Sequence, residues 1–210
     1  MTETRAAIGT SGRPLSARGE RTRRRLLEAA ERIFAEVGYH AASIVKITEA
    51  ASVGQGTFYL YFSSKKEIFD ELVLDLNRRV RHAMTEASAD AGTRAEREVL
   101  GFTAFFRFTA EHPALYRIIR QAEFVSPETL HLHYDRLTEG YVVGLREAME
   151  RGEVAAGDPE VLAWALMGIG ELVGMRWILW AGGDELPPAV SEELATIIRR
   201  AIGANGDGGP

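Results

Sequence analysis

Three residues, Ser52-Val53-Gly54, separate the run IVKITEAA from the aromatic run QGTFYLYF. Three residues make a turn and nothing longer, so the two runs are tied by a tight connection. The first run places Ile44, Ile47 and Ala51 on one helical face, and Ser43 stands before it as a cap. The second run is ambiguous, because Thr and aromatic residues favour strands. Every flanking segment has a helical period, however, and a lone strand leaves its backbone groups unsatisfied. Read as a short helix, the run turns Phe58, Tyr61 and Phe62 inward at i, i+3 and i+4. Thr57 and Tyr59 then point elsewhere, with Gln55 and Gly56 at the helix start. Gly56 has no side chain, so another backbone can approach closely there. The pattern is a helix-turn-helix whose second helix is free to enter a DNA major groove.

The flanks extend this helical reading. In RTRRRLLEAAERIFAEVG, Leu26, Ala30, Ile33, Phe34 and Val37 recur at helical spacing, and Gly38 stops the helix. After the aromatic run, SSKKE offers a capping box with Ser64 at the cap and Glu67 three residues on. A long helix follows, with Ile68, Leu72, Leu76 and Val80 in register. Further helices are predicted near 94–111, 113–123, 127–152, 158–181 and 189–203. Pro113 and Pro159 suit first helical turns, and Asp158 suits a cap. The expected fold is therefore all-α with about nine helices. An N-terminal three-helix helix-turn-helix domain over 20–66 precedes a helical domain over 67–204. Residues 1–19 read as a flexible arm and 205–210 as a disordered tail.

Charge separates these parts. The net charge of −5 by itself argues against nucleic acid, but residues 1–66 carry +5 and the remainder −10. A basic third on an acidic body suggests an anion-facing module joined to a different one. There is no cysteine, which excludes disulfides, thiolate metal sites and cysteine nucleophiles. No segment holds the ~18 consecutive apolar residues of a membrane span, and the N-terminus lacks an apolar signal core. The expectation is a cytoplasmic protein without a membrane partner.

Residues 21–69 resemble the DNA-binding domain of TetR-family regulators. The stretches that carry the resemblance are LLEAAERIFAEVGY and SIVKITEAASVGQGTFYLYFSSKKEIF. Two departures stand out. Ser52 replaces a turn glycine and is strained if the turn needs positive φ; Gly54 replaces a capping serine. Val45 also fills a position where some members carry a base-contacting arginine. The resemblance, taken with the helix geometry, assigns Ser43, Thr57, Tyr59 and Lys65 to phosphates and Gln55 to a base edge. Lys46 and Tyr61 are secondary contacts, with Tyr61 as readily a core residue. Arg21, Arg23, Arg24 and Arg25 could meet flanking backbone, and Arg5, Arg13 and Arg18 could reach a minor groove; a solvated arm is the plainer alternative.

The family's C-terminal half is a helical ligand-binding and dimerising domain, and this chain has the length for one. Ala163, Met167, Gly170, Gly174 and Trp177 fall along one stripe of helix 158–181. Together with Ile197 on the last helix they are the candidate dimer interface, close packing within one chain being the alternative. GIGELVG lies one residue off a dinucleotide fingerprint but follows no strand. Candidate pocket residues are Phe105, Tyr116, Arg117, Arg120, Phe124, Tyr134, Trp164 and Met167, an apolar set with a few polar anchors. FFRFTAEHPALYRIIRQAEF resembles members tied to lipid catabolism, which implies a fatty-acyl or acyl-CoA effector. The expected partners are an inverted-repeat DNA operator, a small-molecule effector and a second copy of the chain. No catalytic residue, cofactor or metal is expected: HExxH, G-x-S-x-G and P-loop motifs are absent, and His131 and His133 diverge on a helix. The competing reading is a helical ligand-binding or enzyme protein whose DNA-binding domain no longer functions.

Overall fold

The computed structural model describes Thr10 and residues 14–203. The expected 205–210 tail and most of the expected arm, Arg5 and Arg13 included, lie outside the described residues. Among the described residues the chain is helical throughout its regular structure: α1 (Ala17–Ala41), α2 (Ile44–Ala50), α3 (Gln55–Phe58), α4 (Lys65–Ala87), α5 (Arg94–Glu111), α6 (Ala114–Val125), α7 (Pro127–Glu150), α8 (Pro159–Gly174) and α9 (Pro188–Ala201). No strand forms over 57–62.

Contacts divide the chain into two compact units. The first takes the residues up to Asp75 together with Arg117–Leu130; the second takes Leu76–Tyr116 and the residues from His131 onward. The expected boundary at residue 66 missed that the C-terminal part of α6 packs with the N-terminal helices.

In the first unit, α1 begins earlier than expected, because the Ser16 hydroxyl accepts from the Gly19 amide and caps it. Gly38 interrupts α1 at φ 76°, a left-handed conformation that suits glycine. Leu26, Ala30, Phe34, Phe58, Phe62, Ile68, Phe69 and Leu72 are buried and form the core. The Phe34 and Phe69 rings meet edge to face at 5.4 Å, and Phe58 and Phe62 lie 5.6 Å apart. The Ser64 hydroxyl accepts from Glu67 N as expected, but the Glu67 carboxylate reaches back to Ser63 rather than Ser64. Residues 117–128, running from α6 into the start of α7, are latched on by three side chains. The Arg117 guanidinium donates to Ala35 O at 2.9 Å, Gln121 Oε1 accepts from Tyr39 N, and Lys66 Nζ meets Ser126 and Glu128.

The second unit has its own core, with Phe102, Phe106, Leu166, Ile178, Leu194 and Ile198 among its buried residues. Thr93 and Glu96 form a reciprocal capping box that starts α5. Asp158 caps α8, with its carboxylate accepting from Glu160 N and Val161 N. Beyond Gly174 the helix widens into a π-turn over Met175–Leu179. The whole Pro159–Leu179 segment is long and apolar enough to cross a membrane by length and composition. Its inner stripe is nonetheless occupied, since Ala163, Leu166, Gly170 and Gly174 are buried within the unit.

Candidate nucleic-acid interface

The turn between α2 and α3 is built as a helix C-terminal motif. Val53 N donates to Thr48 O at 2.9 Å and Ser52 N to Glu49 O at 3.0 Å, the Schellman pair. That motif needs a left-handed residue after the helix, and Ser52 supplies it at φ 52°. It is the sole positive-φ residue other than glycine among the described residues. The strain anticipated for a serine in this turn is therefore present. The next three carbonyls belong to Ala50, Ala51 and Ser52. Arg32 donates to the first at 3.4 Å, and Arg25 donates to the second and, at 3.3 Å, to the third.

The turn delivers a recognition segment with two unlike sides. Phe58 and Phe62 are buried, Thr57 and Tyr61 are half-buried, and Gln55, Gly56, Tyr59 and Leu60 are exposed. Tyr59 is 51% exposed, which is high for an aromatic residue in a short helix-turn segment. The helix proper ends at Phe58, earlier than expected, and the chain continues to Phe62 in turns. A Cβ added at Gly54 or Gly56 would meet no atom of the described residues within 4 Å. The close approach expected at Gly56 is thus not made by the chain's own described residues. Thr10 donates through its hydroxyl to Tyr59 O at 3.0 Å and through its amide to Leu60 O at 3.1 Å.

Other predicted contacts have structural duties. The Ser43 hydroxyl caps α2 by accepting from Lys46 N at 3.2 Å. Lys46 is exposed, and its ammonium donates to Ala41 O. Lys65 is more committed: Nζ donates to Tyr39 O at 2.8 Å and Ala42 O at 2.9 Å and lies 4.3 Å from the Tyr39 ring centroid. Burial lowers its pKa. An ammonium has three N–H donors, so one is left for a further acceptor. Among the basic residues of α1, Arg23 pairs with Glu71 and covers the Phe62 ring, and Arg25 is held by the turn. Arg18, Arg21 and Arg24 are exposed; Arg18 is already inside α1 rather than in an arm.

Residues 26–72 match the model of the family described as bacterial regulatory proteins, tetR family. The chain is 29% identical over 191 residues to the HTH-type transcriptional regulator YdgC of Bacillus subtilis, covering 88% of this chain and 94% of that one. It is 29% identical over 137 residues to the fatty acid metabolism regulator protein of Bacillus subtilis, covering 63% and 70%. Residues 26–72 are a TetR-family DNA-binding domain. In fold the chain is similar to the fatty acid degradation regulator FadR of Bacillus halodurans, with a TM-score of 0.76 at 20% identity over 89% of this chain and 96% of that one. It is thus a DNA-binding transcriptional regulator with a helix-turn-helix.

The remaining predicted residues fall into separate places. Within the second unit, Phe105 meets the Tyr116 ring edge to face at 6.2 Å, and Tyr134 lies 5.5 Å from Trp164. Tyr116 donates to Glu171 O at 3.1 Å, and Tyr134 donates to the Glu171 carboxylate at 3.1 Å. Met167 is half-buried. Glu171 joins these tyrosines and was missed, because one acid on an apolar helix carries no sequence signal. Arg117, Arg120 and Phe124 belong to the first unit instead. Arg117 is spent on Ala35, Arg120 is exposed, and Phe124 is 81% exposed. A cleft of about 140 Å³ opens elsewhere in the second unit, beside Phe102, Phe106, Leu186 and Leu194, and includes none of the predicted pocket residues.

The expected dimer stripe also needs correction. Ala163, Gly170 and Gly174 face the interior of their own unit. A Cβ at Gly170 would come within 2.8 Å of the Phe102 ring, and one at Gly174 would overlap the Tyr116 hydroxyl. Trp177 is half-buried beneath Arg176. The opposite face of α8 is the exposed one, carrying Val161, Trp164 and Leu172, with Trp180 beyond it; Ile197 on α9 is exposed as expected.

Proposed function

We propose that this chain is a homodimeric repressor that reads an inverted-repeat operator and is released by a small, largely hydrophobic effector. The observation that carries the reading is the two-sided recognition segment: Phe58 and Phe62 anchor it while Gln55, Gly56 and Tyr59 stay uncovered. Gln55 reads a base edge, since its amide can bond adenine bidentately. Ser43, Lys46, Thr57, Tyr59, Tyr61 and the remaining Lys65 donor meet the backbone, which supplies affinity and register.

Dimerisation follows from the exposed side of α8. Val161, Trp164, Leu172 and Trp180, with Ile197, give an apolar surface that a second copy can cover across a two-fold axis. A helix-turn-helix dimer then meets two half-sites about 34–36 Å apart. The effector is of fatty-acyl or acyl-CoA type. The named roles of the Bacillus subtilis and Bacillus halodurans relatives support this class, as does the apolar group of Phe105, Tyr116, Tyr134, Trp164 and Met167.

The test is selection of genomic DNA fragments by the purified protein, followed by affinity against salt. An enriched inverted repeat with log K falling steeply against log salt supports the reading. Release of that fragment by a long-chain acyl-CoA, and not by free coenzyme A, supports the effector class. Binding without sequence preference would overturn it.

A further inference from the structure

We infer that Arg25, with Arg32 beside it, is a positioning residue for DNA readout: it clamps the carbonyl end of α2 and holds the strained turn that aims α3. The inference rests on the DNA-binding reading for its consequence, though not for the clamp itself. The starting point is an inventory of carbonyls. The last carbonyls of a helix have no partner within it. At the end of α2, Thr48 O and Glu49 O are taken by the amides of Val53 and Ser52. Ala50 O, Ala51 O and Ser52 O follow without backbone partners, and the two guanidinium groups of α1 take all three. Positive charge there also complements the negative end of the α2 dipole.

The reason a clamp is needed lies one residue away. The Schellman turn requires a left-handed residue at 52, and a serine there carries a steric cost that glycine avoids. Strained residues persist where their surroundings over-determine them. Arg25 holds the carbonyls of the two peptide groups on either side of Ser52, so the strained residue cannot relax without breaking those bonds. Two residues further on, Gly54 begins the recognition segment, so a change at 52 re-aims Gln55 and Tyr59 together. Arg25 and Arg32 lie seven apart on α1, on one helical face, which suits two donors serving one turn. The alternative use of Arg25 is a direct phosphate contact, and it makes a different prediction.

The experiment compares the wild-type chain with Arg25→Ala, Ser52→Gly and the double variant, each full length. Amide hydrogen exchange is read at Ser52 and Val53 without DNA, and operator affinity is read against salt. Arg25→Ala should speed exchange at both amides and weaken operator binding, each by about tenfold, the scale of losing hydrogen bonds from a charged donor. Its salt slope should stay unchanged. Adding Ser52→Gly removes the strain, so the double variant should return both quantities to within about threefold of wild type. Unchanged exchange in Arg25→Ala would overturn the clamp. So would a double variant no better than Arg25→Ala, or a salt slope reduced by about one per subunit, the mark of a lost phosphate contact. If the wild-type chain bound no operator, the DNA reading would fall while the exchange measurements still decided the clamp.

Discussion

A Cβ added at Gly56 would meet no described atom within 4 Å, whereas one added at Gly174 would overlap the Tyr116 hydroxyl. Both glycines lie in helices with a buried apolar side, yet they do opposite things. At Gly174 the missing side chain is used up inside: it lets Tyr116 come close enough to donate to Glu171 O. At Gly56 nothing among the described residues uses the space, and the neighbours Gln55, Tyr59 and Leu60 are exposed as well. The second unit fills its small-residue positions with its own aromatics. The recognition segment of the first leaves them open, which is the condition a major-groove reader must meet.

Gly174→Ala tests the filled side and should have the largest effect. Overpacking costs about 1–3 kcal/mol, and a buried Tyr116 hydroxyl driven off its carbonyl costs a similar amount, so a loss of about 4 kcal/mol is expected. Denaturant melts of the two proteins measure it; a loss below about 1 kcal/mol would mean that Tyr116 can swing away and that the packing is slack.

Acid sharpens the same contrast between the units. His133 is buried in the second, and burial lowers its pKa to about 4. Asn77 donates to its carbonyl at 2.9 Å and stands 3.2 Å from Nδ1, consistent with a neutral ring. The unfolded chain takes up a proton near pH 6.5, before the folded one does. Stability contributed by the neutral ring is therefore whole above pH 6.5 and is lost as pH falls towards 4, about 3 kcal/mol in full. In the first unit, Glu128 is held at about 2, chiefly by its bond to Lys66. That pair keeps its charge over the interval in which His133 works against folding. Stability measured at pH 7 and pH 4.5 should fall for the wild type and change less for His133→Asn. Equal slopes would remove His133 as the cause.

On the open side, Gln55→Ala should leave stability unchanged and cost about 1–3 kcal/mol on the selected operator, with relaxed preference at one base pair. A uniform loss on every DNA sequence would reassign Gln55 to the backbone.

What could be read in advance follows from how much each signal depends on neighbours. Helical period and caps are local, so α5 was placed at 94–111 and Asp158 at the start of α8 from the chain alone. The inward pair Phe58 and Phe62 was legible because its spacing admits one buried face. For Lys65, read as a phosphate ligand, nothing in the sequence reveals that Tyr39 O and Ala42 O already take two of its three donors. The α8 stripe was assigned to the wrong side for a different reason. Both of its faces are apolar, with Ala163, Gly170 and Gly174 on one and Val161, Trp164 and Leu172 on the other. Hydrophobicity cannot choose between them; only the partners, Phe102 and Tyr116, decide. The turn shows the reverse case. A serine in place of glycine announced strain at 52, and the φ of 52° carries it.

The two smallest effects separate a residue's cost to the fold from its use in binding. Ser52→Gly should stabilise the first unit by about 1 kcal/mol, because glycine accepts the left-handed conformation without a Cβ clash. Gly56→Ala should change stability by no more than about 0.5–1 kcal/mol, and in the favourable direction, since alanine is the better helix former and the space is open. If Gly56 exists for the protein alone, that is the whole effect, and operator affinity follows wild type. If it leaves room for the DNA backbone, the same methyl group that steadies the helix must weaken operator binding. A variant that melts higher and binds more weakly would place the reason for Gly56 outside the chain. A variant that melts higher and binds as well would mean that the open space is unused, and the contrast with Gly174 would then be one of packing alone.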